Sequence, residues 1–281
     1  MTERQNKNWL ITGTSSGFGR HMTELLLERG DRVAATVRNV AALDELARRY
    51  PETLWVRSLD VTDTAQINRV VDDAFATLGG IDVVVSNAGY GLFGAAEELD
   101  DEQIERQLNT NLVGSIQLIR AAIRHLRPQG GGRSLELFSM GGQVAFPSLW
   151  PFHATKWGIE GFVESLFEEL APFSIKLTLV EPGGARTDFG SRSAELAAPL
   201  EAYQQGFIDQ MRRSVSSGIS HAKGDPRKMA AAMVGAADSE NPPRRLALGG
   251  DADAAIRAAL MKRLAELKAQ HDIAHSTEFD A

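Results

Sequence analysis

The sequence predicts an α/β fold: a Rossmann-like, doubly wound parallel sheet in a single domain. Three observations carry this expectation. Short apolar runs alternate with helix-period stretches from the first residues, a glycine-rich turn joins the first run to the first helix, and no linker or composition shift divides the 281 residues. Alternation of this kind marks βαβ units, whose crossover helices cover both faces of a parallel sheet.

Trp9 to Thr12 reads as a short buried strand. After the glycine turn, Met22, Leu25 and Leu26 form one helical stripe that ends at Gly30, a residue free to take the left-handed backbone that closes a helix. Arg32 to Val37 is a second strand, Val40 to Tyr50 a helix stopped by Pro51, and Thr53 to Ser58 a third strand. A helix from Thr64 to Leu78 ends in Gly79-Gly80, and Ile81 to Ser86 follows as the fourth strand. Asp100 and Gln103 have the spacing of a capping box. They open a long helix towards Leu126, with Ile104, Leu108 and Leu112 on one face. Leu135 to Ser139 is the fifth strand, Phe152 to Leu170 a helix, and Ile175 to Val180 the sixth strand. Beyond Pro182 the rhythm changes. A polar, Ser/Ala-rich segment at about 190–222 suits a cover over a site. Arg244 to Leu248 is a last strand, Ala254 to Ala269 a charged helix, and the residues from His271 a tail, so that a C-terminal helix and tail occupy about 251–281.

Composition removes several classes of function. The 43% hydrophobic content is enough for a sizeable core. Zero cysteine excludes disulfide scaffolds, thiolate zinc sites, iron–sulfur clusters and cysteine nucleophiles. A net charge of −7 argues against nucleic acid or an anionic membrane as partner. No apolar run reaches the length of about 18 residues that a membrane span needs, and Met1 to Asn8 is polar, so a cytoplasmic protein is expected. The histidines lack metal-ligand spacing, and no metal is expected. There are three tyrosines, Tyr50, Tyr90 and Tyr203.

Gly13-Thr14-Ser15-Ser16-Gly17-Phe18-Gly19 follows the first strand and opens the first helix, which is the context of a dinucleotide site. Gly13 permits the tight turn, Gly17 lets backbone amides approach a pyrophosphate, and Gly19 lets the helix pack against the sheet, with the anion at the helix N-terminus. The spacing is G-x-x-x-G-x-G, and a plain helix-entry turn is the alternative. Gly13 to Gly17 also satisfies G-x-S-x-G, the nucleophile elbow of serine hydrolases, with Ser15 as nucleophile. Such an elbow normally follows several strands, whereas this turn follows the first. Arg38 lies just after the second strand, and Val37 occupies the place where an acid would hold an adenosine ribose. That favours NADP(H) over NAD(H), because Arg38 can pair with a 2′-phosphate. The competing reading of Arg38 is a solvated loop cation.

At these residues the sequence resembles the short-chain dehydrogenase/reductase family over nearly its whole length. Thr12 to Gly19 is similar to the family's T-G-x-x-x-G-x-G turn, Asp60-Val61 to its adenine-contacting pair, and Asn87-Ala88-Gly89 to its N-A-G motif. Asn111 falls where the family keeps a catalytic-site asparagine, and Ser139 where it keeps the catalytic serine. Pro182-Gly183-Gly184-Ala185-Arg186-Thr187 resembles the segment that embraces the nicotinamide, with Pro182, Gly183 and Thr187 at the motif positions.

The family's remaining signature is Y-x-x-x-K, thirteen residues after the serine. Residue 152 is Phe152, followed by His153-Ala154-Thr155-Lys156, so the lysine is present and the tyrosine is not. The resemblance implies hydride transfer between a nicotinamide and a carbonyl or alcohol carbon, coupled to proton transfer through that tyrosine. Lys156 would shift the hydroxyl pKa from about 10 towards neutrality and hold the ribose. Ser139 would bond the substrate oxygen, and Asn111 would hold a water linking Lys156 to solvent. Losing the general acid costs about 10² to 10⁴ in rate. Three explanations are open: an engineered Tyr→Phe variant of an active reductase, a natural variant with another donor, or a natural NADP(H) binder. Retention of every other polar group favours the first. Tyr90 and Tyr203 are alternative donors or substrate contacts. His153 should point about 100° away around the helix.

The segment from Phe189 to His221 is expected to form much of the substrate wall, with Phe93, Gln143, Phe146, Trp150 and Tyr203 as further candidates. Trp150 and Trp157 could equally be core or subunit-contact residues. The mix of apolar and small polar side chains in the Phe189 to His221 segment suits a medium-sized, partly hydrophobic carbonyl compound. The resemblance also implies a homodimer or homotetramer through the helices of Asn109 to Leu126 and Phe152 to Leu170.

Overall fold

The computed structural model of the chain describes residues 6–190, 193–217 and 222–279. Strand and helix alternate through β1 (Asn8–Thr12), α1 (Gly17–Glu28), β2 (Arg32–Val37), α2 (Asp44–Arg49), β3 (Leu54–Ser58), α3 (Thr64–Leu78) and β4 (Val83–Ser86). Then come a three-residue strand β5 (Gly91–Phe93), α4 (Asp101–Leu108), α5 (Gly114–Leu126), β6 (Gly132–Leu137), α6 (Trp150–Leu170) and β7 (Ile175–Pro182). The last part holds β8 (Ala194–Leu196), α7 (Phe207–Ser216), α8 (Pro226–Asp238), β9 (Arg245–Leu248), α9 (Gly250–Ala269) and α10 (His271–His275).

Seven parallel strands form one sheet in the order β3–β2–β1–β4–β6–β7–β9, the Rossmann-like arrangement expected. Side chains alternate between its faces because the strand period is two. Leu10 and Val84 enter a core built with α3, α5 and α6. Trp9, Ile11, Val83 and Val85 enter the opposite core, with α1 and α8. The strand order reverses between β1 and β4, so the carboxyl ends of these two strands open the crevice where such sheets bind ligands. A second, two-stranded parallel sheet pairs β5 with β8 beside that crevice.

Several boundaries differ from expectation for identifiable reasons. The Asp100 capping box is formed on both sides, but the long helix it opens is interrupted by a π-helical turn at Asn109–Val113. The expected helix over Val40 to Tyr50 begins as a 3-10 turn, Val40–Leu43, capped by Asn39. α6 starts two residues early, with Pro151 in its first turn, where the missing N–H of proline costs nothing. Ser139 lies beyond the end of β6 rather than within it. α8 was not foreseen, although Asp225 caps it and Pro226 opens it. The residues from His271, expected as a tail, include the short helix α10. Within the segment at 190–222, residues 191, 192 and 218–221, the last being His221, lie outside the described residues. Among the described residues no helix is long and apolar enough to cross a membrane, and no group of acidic or histidine side chains is arranged to hold a metal.

Candidate active site

The glycine turn is built by steric necessity. Gly13 has φ +71° and Gly17 φ +57°, both in the left-handed region. A Cβ on Gly13 would stand 2.9 Å from Ala88 Cα, and one on Gly19 would overlap the Gly13 carbonyl oxygen. The N-A-G segment buttresses the turn from below. Asn87 Nδ2 donates to the carbonyls of Thr12 at 2.8 Å and Gly13 at 3.0 Å, while Asn87 N and Ala88 N donate to Thr12 Oγ1. α3, α4 and α8 each have an aspartate accepting from their first-turn amides. α1 begins at Ser16 with no side-chain cap, which leaves its first N–H groups open to an anion. Ser15 is exposed, and Phe18 packs against the α1 face of the core.

Arg38 projects from the end of β2 and is exposed. Its charge acts on Asp60, whose carboxylate accepts from Thr62 N at 2.9 Å and Thr62 Oγ1 at 2.8 Å. The Thr62 amide, chiefly, and Arg38 in smaller part hold Asp60 below the usual carboxylate range. Next to it, the Val61 carbonyl faces Gly114 so closely that a Cβ there would stand 2.6 Å away. That contact fixes the start of α5 against the loop after β3.

Asn111 lies within the π-turn and is buried. Its side chain grips one residue by both backbone groups: Nδ2 donates to the Tyr90 carbonyl at 2.8 Å, and Oδ1 accepts from Tyr90 N at 3.1 Å. Gly89 fits beneath it, since a Cβ there would stand 3.2 Å from Asn111 Oδ1. Ser139 Oγ accepts from Gly141 N at 3.0 Å.

Phe152 and Lys156 are both buried on α6. Lys156 Nζ donates to the Leu137 carbonyl at 2.8 Å and stands 5.4 Å from the Phe152 ring centroid and 5.9 Å from that of Phe138. Burial lowers its pKa to about 8, against the opposing pull of Glu136. Glu136 on β6 is itself buried; Ser134 Oγ donates to it at 2.7 Å, yet burial raises its pKa to about 7. Sequence reasoning missed Glu136. An acid between two leucines in a buried strand was the available signal.

The Pro182–Thr187 segment closes over the glycine turn. Gly183 N donates to the Leu248 carbonyl at 2.8 Å, and Gly184 N to Asp251 Oδ2 at 2.7 Å. Thr187 lies against Gly17, 3.8 Å from where its Cβ would be. Asp251, at the start of α9, was also missed.

The substrate candidates fall into two groups. Phe93 is buried on β5, and Trp150 packs beside Leu92, Leu99 and Ala197 under the small sheet. Phe189, unspecified in advance beyond opening the wall segment, meets Phe152 edge to face at 5.7 Å. Gln143 turns the other way: its amide serves Glu160 and Glu181, and it accepts from Arg263 of α9. Phe146 stacks obliquely on His153. His153 Nδ1 donates to the Gly141 carbonyl and Nε2 accepts from Phe146 N, so both ring nitrogens are committed to holding that loop. Burial lowers its pKa as well. Tyr203 is at the surface and donates its hydroxyl hydrogen to Glu97 at 2.5 Å.

A model of the short chain dehydrogenase family matches residues 7–196. Oxidoreductase BOA17 of Botryotinia fuckeliana (strain B05.10) is 36% identical over 250 residues, covering 88% of this chain and 90% of that protein. The crystal structure of a short-chain dehydrogenase from Streptomyces avermitilis superposes with a TM-score of 0.90 at 38% identity, covering 99% of this chain and 100% of that one. The protein ElxO, in a tyrosine-to-phenylalanine variant solved with NADPH bound, has the same fold at a TM-score of 0.72 and 23% identity, covering 86% and 97% of the two chains.

Proposed function

The chain belongs to the short-chain dehydrogenase family, and from that premise we propose an NADP(H)-dependent oxidoreductase scaffold for a carbonyl/alcohol pair whose proton-transfer step is disabled by Phe152. The observation that carries the reading is the buried Lys156 ammonium one helical turn from a ring without a hydroxyl.

The residues present fit a dinucleotide. The uncapped start of α1 and the missing side chains of Gly13, Gly17 and Gly19 leave room and donors for a pyrophosphate. Exposed Arg38, with Val37 in place of an acid, suits a 2′-phosphate. Asp60 and Val61 border the adenine side, and Pro182, Gly183 and Thr187 the nicotinamide side. ElxO binding NADPH in its tyrosine-to-phenylalanine form is consistent with cofactor binding that survives such a change. When bound, the nicotinamide supplies or accepts the hydride.

This chain's own residues then divide the remaining work. Ser139 Oγ donates to the substrate oxygen. Lys156 holds the ribose and supplies positive charge beneath the reacting oxygen, and Asn111 fixes the Tyr90 turn at the site's edge. Phe152 has no proton to pass to the oxygen. His153 is committed at both nitrogens, and Tyr203 is tied to Glu97, so neither replaces the donor. Assembly through α5 and α6 belongs to the same proposal; Trp157 on α6 is 44% exposed.

A second reading, a non-catalytic NADP(H) sensor, is favoured by the same absent hydroxyl. The two separate when the chain and its Phe152→Tyr form are assayed with NADPH and a panel of ketones, aldehydes and quinones. Turnover gained with tyrosine supports the reductase scaffold; NADPH binding with no turnover in either form favours the sensor. The hydrolase reading requires ester turnover that disappears in Ser15→Ala. Its support is weak, because exposed Ser15 forms no hydrogen bond to a histidine among the described residues.

A further inference from the structure

A closed groove, without room for a water molecule, lies between the small β5–β8 sheet and α7. Its walls are apolar, Phe93, Leu196, Ile208 and Met211, apart from Ser148 and Arg212. Both carry a buried polar atom without a hydrogen-bond partner among the described residues: Ser148 Oγ and Arg212 Nη1. Buried donors are normally satisfied, so two at one cleft call for an explanation.

Neither residue is loosely held. Ser148 is 6% exposed and has φ +70°, in the left-handed region that a non-glycine residue seldom occupies. Its carbonyl accepts from Gly94 N at 2.9 Å, which pins it to the end of β5. Arg212 Nη2 donates to Glu98 Oε1 at 2.7 Å and Oε2 at 2.8 Å. Glu98 also accepts from Ala95 N and Leu200 N. One arm of the guanidinium is therefore fixed and the other is left over.

A chain of packed aromatic rings links the groove to position 152. Phe152 meets Phe189 at 5.7 Å. Phe189 and Phe93 both crowd the Gly91 backbone, each 3.0 Å from where a Cβ would be, and Phe93 lines the cleft. Ser148 and Arg212 line the same groove as Phe93, at the end of this chain of rings. The cleft has no water-sized space as it stands, so ligand entry requires its α7 wall to yield. Met211, with its unbranched side chain, is suited to that.

We propose that Ser148 and Arg212 form the far end of the substrate pocket and recognise a second, uncharged oxygen, a hydroxyl or carbonyl, on an otherwise apolar ketone or alcohol. The inference rests on the carbonyl site read at Ser139 and Phe152. The oxygen is uncharged because Glu98 already neutralises Arg212; a carboxylate would bring an uncompensated charge into a dry site.

The test measures binding of decane-2,9-dione and decan-2-one to the native chain saturated with NADPH. The expected result is a preference for the dione of about tenfold, the value of one good hydrogen bond. The preference falls to near unity in Ser148→Gly, which tolerates the positive φ, and in Arg212→Lys, which keeps the charge facing Glu98. Equal binding of the two ketones by the native chain, no binding of either, or a preference that survives both substitutions overturns the inference. A separate NADPH titration distinguishes the two levels. Failure of NADPH to bind removes the oxidoreductase reading and this inference with it, whereas intact NADPH binding without the dione preference removes this inference alone.

Discussion

Phe152 and Lys156 face each other across one turn of α6, the lysine ammonium 5.4 Å from the phenylalanine ring centroid. A cation over a ring face is attracted by the ring's quadrupole, so the pair packs well without a hydroxyl. Burial at this position therefore does not require a tyrosine.

Arg38 is the natural test of cofactor choice. Arg38→Ala is expected to weaken NADPH binding about tenfold to a hundredfold, the loss of one charge-assisted contact, and to leave NADH binding unchanged. Fluorescence titration with both nucleotides measures this. Equal weakening of the two would mean that Arg38 serves the fold and not the 2′-phosphate.

Gly19 has no room for a side chain. Gly19→Ala drives a Cβ into the Gly13 carbonyl and Asn87 Nδ2, and an overpacking cost of about 1–3 kcal/mol is expected. The matched control is Gly161→Ala on α6, where a Cβ meets nothing within 4 Å and a gain of about 0.5–1 kcal/mol is expected. Urea unfolding of the two variants should move in opposite directions.

Glu136 makes stability depend on pH. Its folded pKa is about 7 against an ordinary 4.5, so the folded chain retains a proton that the unfolded chain releases. Its contribution is present below about 4.5 and is lost as pH rises to about 7. Lys156 acts in the opposite sense: lowered to about 8 from 10.5, it favours the folded chain increasingly as pH rises through that range. Relative to Glu136→Gln, the native chain should lose more than about 1 kcal/mol of stability between those carboxylate limits. Parallel pH–stability curves for the two proteins would contradict this.

Glu98 ties α7 to the loop after β5. Its buried carboxylate holds Arg212 of α7 and the amides of Ala95 and Leu200. Glu98→Ala leaves a buried guanidinium uncompensated, and a cost of about 3–5 kcal/mol is expected. Limited proteolysis should then cut first within 193–217. Cleavage confined elsewhere would show that α7 is held by other contacts.

Much of the glycine turn and its Asn87 buttress was legible in the sequence because their demands are local. Gly13, Gly17 and Gly19 are needed for backbone geometry that only glycine provides cheaply, and Asn87 follows a strand end whose neighbour is fixed by topology. The region of β5, β8 and α7 was less legible because tertiary pairing builds it. Glu98 and Arg212 are 114 residues apart in sequence, and β5 and β8 are three-residue strands without a periodic signal. The π-turn at Asn109–Val113 was hidden for a different reason: it adds to a helix a widened turn that apolar spacing does not betray. Gln143 was expected among the substrate contacts, but its side chain is engaged by Glu160, Glu181 and Arg263, partners far from it in sequence.

The most direct measurement is the rate of NADPH oxidation by the native chain and by Phe152→Tyr, under identical conditions and with the same ketone. Restoring the hydroxyl beside Lys156 should raise the rate by about 10² to 10⁴, the value of a positioned general acid, with little change in NADPH affinity. If Phe152→Tyr binds NADPH as the native chain does and gains no hydride transfer on any ketone, aldehyde or quinone, the central claim is wrong and position 152 is not where this scaffold lost its proton.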